Sequence, residues 1–381
     1  MAKIIIVGDL FPIKANVDLF SKGDIQSIFG EKTVRLFFDA DLRICNLEGA
    51  LTDGNERCKK TGPIICAPTS VVNTYVKLGI DYCMLANNHI TDAGHQGVVD
   101  TMHTLDVVGI KYIGAGINKN SIPHYTIHIL ENKKVCIYNV CERMYNKPDK
   151  EKAGAWLYDE YIVCKELEYL KTQCDYLIVI YHGGIEKYKY PSPEIKKRFR
   201  RMADNGADVV ISQHTHCIGC EELYNKSYLL YGQGDFLLNN FRPPITDTGI
   251  ILELNINEKG IKVQKHMVKC STDLCLKYID SPDFTAFDER SGKVQDDVFL
   301  MEKFQQFCIN ELCLYLTAFK SPGRMRYLLK RFFPERYMKW LYTNAFSSRN
   351  LMFILHTLRS EQNRETAIAG LESLLASDIR K

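Results

Sequence analysis

Val209-Val210-Ile211-Ser212-Gln213-His214-Thr215-His216 is the stretch whose reading decides the fold. Its first half is a β-branched apolar run, the pattern of a buried strand. Its second half is polar and carries two histidines at the strand's C-terminal end, where open α/β sheets place their ligand sites. Imidazole is the commonest protein metal ligand, and on an extended segment His214 and His216 would point the same way along the pleat. The stretch alone admits two readings, a pair of metal ligands or a hydrogen-bonded histidine pair. Partners elsewhere in the chain decide between them.

Working outward, the helix Pro193 to Asn205 precedes this strand, and its basic residues (Lys196, Lys197, Arg198, Arg200, Arg201) read as a solvated face. Before it, the buried strand Tyr176 to Tyr181 ends in His182-Gly183-Gly184-Ile185-Glu186. The same pattern opens the chain. Ile4 to Val7 form an apolar strand that stops at Gly8-Asp9, with Gly8 leaving room for close backbone approach. Asp41 to Gly49 repeat it and end in Glu48-Gly49. Asp81 to Ala86 repeat it again and run into Asn87-Asn88-His89-Ile90-Thr91-Asp92.

Between these strands lie a long polar loop, Gly54 to Pro68, of the kind that covers a site, and a helix from Thr69 to Leu78 with Thr69 or Ser70 as its cap. A second helix runs from about His95 to Val108. Gly114-Ala115-Gly116 lacks the spacing of a dinucleotide fingerprint and reads as a turn. Ile122–Leu130 with Val135–Val140, and Gly249–Asn255 with Gly260–Val268, read as hairpins. Tyr161 to Thr172 reads as a helix, and Ser227 to Tyr231 as a strand that reaches Gly232-Gln233-Gly234-Asp235-Phe236. From about Asp296 strand signals give way to helical periodicity over Val298–Phe319, Arg324–Phe333, Arg336–Phe346 and Glu365–Leu375. The expected organisation is an α/β domain over 1–290 and an all-helical extension over 291–381. The basic and aromatic segment Arg324 to Phe333 fits a helix docked on the main domain better than one lying on an acidic membrane surface.

The 381 residues are 46% hydrophobic and 25% charged, ordinary for a globular protein. A net charge of +3 gives no footprint for nucleic acid, and none is expected as a partner. The 14 cysteines are scattered through apolar runs, as buried thiols of a reducing compartment are. Cys217-Ile218-Gly219-Cys220 faces no second cysteine pair, so it reads as packing and not as a zinc or redox motif. No run reaches the roughly 18 apolar residues that cross a bilayer, and the first residues lack a signal peptide's apolar region. The expected location is cytoplasmic, at most peripheral to the membrane.

Strand after strand thus ends in a potential ligand: Asp9, Glu48, Asn88, His182, His214 and His216. Carboxylate and amide oxygens mixed with imidazoles suit divalent Mn, Fe, Zn or Co. Six donors exceed what one tetrahedral ion needs. They fit a two-metal centre with ions roughly 3.5–4 Å apart, which activates water and clamps the oxygens of a displacement at phosphorus.

Gly8-Asp9, Asn46-Leu47-Glu48-Gly49, Ala86-Asn87-Asn88-His89 with Asp92 and Gly94, His182 to Glu186 with Pro191-Ser192-Pro193, and Gln213-His214-Thr215-His216 together resemble the CapA family. These are poly-γ-glutamate capsule proteins, a branch of the calcineurin-like metallophosphoesterase superfamily. The likeness covers about residues 3 to 256. Tyr231 to Phe236 is similar to the family's YSLGNF, with Asp235 where the family has asparagine. The resemblance implies a four-layer α/β/β/α sandwich. It implies that Asp9, Glu48 and His216 hold one metal and that Glu48, Asn88, His182 and His214 hold the other, Glu48 bridging. His89 would face the substrate as an acid or charge stabiliser, with Asp92 and Glu186 orienting imidazoles. The implied setting is a polymer or phosphoester substrate and a capsule-synthesis complex at the inner membrane surface. Two departures stand out: the superfamily's histidine two residues after the first aspartate is Phe11 here, and the bridging acid is Glu48 instead of aspartate. The family's N-terminal membrane anchor is not expected here, since the first residues read directly as a strand. The implied function is a metal-dependent hydrolase or, alternatively, a non-catalytic subunit that supports a polymer synthase.

Overall fold

The computed structural model describes residues 1–60, 62–238, 248–271 and 275–319, with 351, 352, 354, 355 and 358. Two sheets carry the fold. One runs Leu276–Tyr278, Gly260–Cys270, Thr248–Asn257, Ala2–Leu10, Leu42–Leu47, Tyr82–Met84, Lys111–Ile113, and Asp235–Leu237 also pairs with Ala2–Leu10. The other runs Glu221–Tyr224, Ser227–Leu230, Val209–Gln213, Tyr176–His182, Lys133–Cys141, Tyr125–Leu130. Ala2–Leu10, Leu42–Leu47, Tyr82–Met84 and Lys111–Ile113 are mutually parallel, as are Lys133–Cys141, Tyr176–His182, Val209–Gln213 and Ser227–Leu230. Antiparallel hairpins close the edges.

The two-residue period of a strand sorts side chains between faces. Ile4, Ile6, Ile44 and Ile113 of the first sheet meet Ile137, Ile178, Ile180 and Ile211 of the second in one buried cluster. The alternate residues Ile5, Val7 and Cys45 turn outward onto Phe29, Phe37, Tyr75 and Val98 from the helices Ile25–Phe38, Val72–Leu78 and Gly94–Val108. Leu177, Val179 and Tyr181 turn outward onto Val163, Leu167, Phe199 and Met202 from Glu160–Lys171 and Pro193–Asp204. Helices, sheet, sheet, helices: the four-layer α/β/β/α architecture is present.

Two local expectations are corrected, and one element is added. Thr69 and Ser70 do not cap Val72–Leu78, which is entered through a turn of 3-10 helix; the Thr69 hydroxyl donates to Asp53 Oδ2 at 2.5 Å instead. The helix Pro193–Asp204 is not simply a solvated face. Lys196 is buried and donates to Val294 O (2.5 Å) and Asp297 (2.6 Å), Arg200 donates to Glu222, and Arg198 lies over the Tyr158 ring. An additional strand, Glu221–Tyr224, precedes Ser227–Leu230.

The chain divides into two compact units, Met1–Phe304 and Gln305–Lys381. Beyond residue 290, Val294 packs in the outer core of the second sheet and Leu300 is buried. Asp297–Phe319 is helical as read. Arg324–Phe333, Arg336–Phe346 and Glu365–Leu375 lie outside the described residues. Among the described residues no helix is long and apolar enough to cross a membrane.

Candidate metal centre

The carboxyl ends of the two parallel strand sets meet, and every metal donor expected from the sequence is there. Asp9 is the penultimate residue of the first strand, beside Asn46, and Glu48 follows Leu42–Leu47. Asn88 and His89 follow Tyr82–Met84, His182 ends Tyr176–His182, and His214 and His216 follow Val209–Gln213. Gln213 Nε2 donates to Val7 O (3.1 Å) and Gln233 Nε2 to Ile6 O (2.8 Å), tying this end of the sandwich together. Gly8 is required here, because a Cβ on it would sit 2.4 Å from Gly234 O.

The extended geometry expected for the histidine pair does not hold. The strand stops at Gln213, and His214 (φ 87°) and His216 (φ 51°) both take the left-handed region, uncommon for a non-glycine residue. Such strain costs on the order of 1–3 kcal/mol and gathers at functional sites. The turn separates the rings, whose centroids are 5.8 Å apart, and sends them to different groups.

Glu48, His182 and His214 form one group; Asp9, His216 and Asp235 form a second. Within each, the donor atoms lie within 4.8 Å of one another. Asn88 Oδ1 is 2.9 Å from His182 Nε2, and Glu48 Oε1 is 3.4 Å from that same nitrogen. Asn46 stands between the groups, its Nδ2 donating to Asp9 Oδ1 (2.7 Å) and Glu48 Oε2 (2.5 Å). His216 Nδ1 is 2.8 Å from Asp235 Oδ1 and 3.6 Å from Asp9 Oδ2. Among the described residues, Glu48 Oε1, His214 Nδ1 and Asp235 Oδ2 are buried without a hydrogen-bond partner. Leaving one such atom unsatisfied costs about 1–3 kcal/mol. Carboxylate, amide and imidazole donors converging with unspent lone pairs fit divalent cations.

The electrostatics agree. Burial and the Glu48 charge push the Asp9 carboxyl up to about 7, against the pull of His182 and His216. Burial would also raise Glu48, but His182, His89 and His214 hold it well below the usual carboxylate range. Burial and the neighbouring His182 and His216 keep His214 well below the ordinary imidazole value. His216 goes the other way: burial opposes its charge, yet Asp235, Asp9 and Glu48 push it up to about 10.

His89 Nδ1 lies 2.7 Å from Asp92 Oδ2, and its Nε2 faces Glu48 Oε1 at 4.0 Å. Asp92 also accepts from Ile65 N (2.7 Å) and from Lys60 Nζ, which is 3.0 Å from His89 Nδ1. The loop Gly54 to Pro68 therefore does reach the site. Glu186 is exposed; it makes no hydrogen bond to an imidazole among the described residues, although its charge is felt at Glu142 and Asp235. Three residues were missed. Lys60 sits in a loop without periodicity. Glu142 follows a hairpin strand, and its Oε1 is 3.6 Å from His214 Nε2. Asp235 was visible as an acid after Gly232-Gln233-Gly234, and its register beside Asp9 is what the sequence does not display.

The capsule biosynthesis protein CapA of Bacillus anthracis is 22% identical over 205 residues, 52% of this chain and 50% of that protein. The PGA biosynthesis protein CapA of Bacillus subtilis is 25% identical over 170 residues, 44% of each chain. The chain spans about half the length of the curated relatives it matches. Among solved structures, a phosphatase from Mycoplasma pneumoniae aligns with a TM-score of 0.43 at 17% identity, covering 75% of this chain and 98% of that one. The family of bacterial capsule synthesis proteins, PGA_cap, matches residues 3–240, and the chain belongs to it.

Proposed function

We propose that the chain is a metal-dependent, phosphoesterase-like hydrolase that acts in making a capsule or related cell-surface polymer. The observation that carries this reading is the meeting of two donor groups around three unpartnered buried atoms. Asp9, Glu48, Asn88, His182, His214 and His216 would hold two divalent ions, Mn, Fe or Zn. Bound there, the ions would lower the pKa of a water toward neutrality and clamp oxygens around phosphorus.

The chain's own residues supply the rest. Asp92 holds the His89 ring by its Nδ1 edge, so that Nε2 faces the centre and can hold or deliver a proton at the leaving oxygen. The Lys60 ammonium, its side chain 3% exposed, adds positive charge beside that ring and favours an anionic substrate. Asn46 keeps the Asp9 and Glu48 carboxylates in register while both stay dry. The substrate class is a phosphoester or a bond of the polymer itself, met at a synthesis complex on the inner membrane surface.

The test is metal analysis of purified protein, then turnover of aryl phosphomonoesters and phosphodiesters with Mn, Fe or Zn supplied. The reading expects bound metal and metal-dependent release of the aryl alcohol. Protein that stays folded, takes up no ion and is inert with every divalent metal refutes it. Protein that binds metal tightly yet cleaves no ester supports the second reading, an accessory subunit of the synthase.

A further inference from the structure

Phe11, at the place of the superfamily's histidine, offers no donor to the Asp9–His216 side of the centre; it is buried among apolar side chains. We propose that Asp235 is a metal ligand in its stead, giving that side two carboxylates and one imidazole. The inference rests on the metal-centre reading above and adds a residue to it.

Three observations carry it. Asp9 and Asp235 are register partners on adjacent parallel strands, so the two carboxylates lie side by side at the same height of the sheet. Asp235 is 6% exposed, and its Oδ2 has no hydrogen-bond partner among the described residues. The third observation is which nitrogen Asp235 engages. A carboxylate that merely orients a ligating imidazole takes the ring nitrogen turned away from the metal. Asp235 Oδ1 is instead at the same nitrogen, His216 Nδ1, that faces Asp9 Oδ2. An ion shared by Asp9 and that nitrogen therefore also meets Asp235. Glu142 shows the contrasting arrangement: it sits at His214 Nε2 and leaves Nδ1 unpartnered.

Asp235→Asn keeps an oxygen that accepts the His216 N–H and takes away the negative charge that a cation there would meet. The experiment is Mn²⁺ content and affinity of the full chain, with circular dichroism of the metal-free protein to confirm folding. Wild type should hold two ions; in Asp235→Asn one ion should bind as before and the other at least about tenfold more weakly. Mn²⁺ spin resonance should change from a coupled pair to an isolated ion. If Asp235→Asn does not fold, Asp235→Glu keeps the charge and displaces the oxygen, and should alter the affinity of one ion alone. Two ions held by Asp235→Asn with unchanged affinities overturn the proposal and leave the metal-centre reading standing. Wild type that takes up no ion overturns both.

Discussion

His214 and His216 are two residues apart, and the protein treats them in opposite ways. His214 stands with Glu48 and His182 and is held well below the ordinary imidazole pKa by burial and by the neighbouring imidazoles. It is neutral at physiological pH, with Nδ1 unpartnered. His216 stands with Asp9 and Asp235, and their charges push it up to about 10 against the cost of burial. In the metal-free protein His216 carries a proton where an ion would share the same carboxylates. Sequence neighbours thus bring one imidazole that is ready for a cation and one that must exchange a proton for it.

The largest expected effect tests whether chemistry needs a residue outside both groups. His89→Ala should lower turnover by about 10²–10⁴-fold, the worth of a positioned acid, while both ions stay bound. Loss of metal in that variant would put His89 among the ligands and dissolve the division drawn here. Glu142→Gln comes next. It should weaken the ion at the His214 side about 10–100-fold and leave the other unchanged, as read by metal titration.

The third effect concerns pH. Binding at the His216 side displaces its proton, so affinity there should fall about tenfold per unit as pH drops from 8 to 7 and more steeply below 7, where Asp9 also takes up a proton, while the His214 ring is held toward its neutral form. Calorimetric titration at several pH values resolves the two. The smallest effect is on metal-free stability. His216 has a raised pKa, so its contribution is full below about 6.5 and is lost as pH rises toward 10. Asp9 is also raised, and its burial cost grows as pH climbs toward 7. The melting temperature of metal-free protein should therefore fall between pH 6.5 and 9, and added Mn²⁺ should stabilise more at the higher pH. A melting temperature that rises over that range would contradict the charge assignment of His216.

Much of this was legible in the sequence. Apolar runs stopping at Asp9, Glu48, His182 and His214 declare strand ends, and strand ends of a parallel sheet share an edge. What local pattern cannot carry is the contact between sheets and the path of a turn. The alternation rule made His214 and His216 neighbours on one face, but it holds only while the backbone stays extended, and here it leaves that region at His214. Asp235 and Glu142 were hidden because their meaning lies in register and in the facing imidazole. Lys60 was hidden because its neighbours in space, His89 and Asp92, follow a different strand.

Anomalous diffraction from crystals of the Mn²⁺-loaded protein tests the central claim most directly. The account predicts two peaks at the joined carboxyl ends of the sheets, one within coordination distance of Glu48, His182 and His214 and one within reach of Asp9, His216 and Asp235. A map with no peak there, or with manganese only on the protein surface, would contradict it.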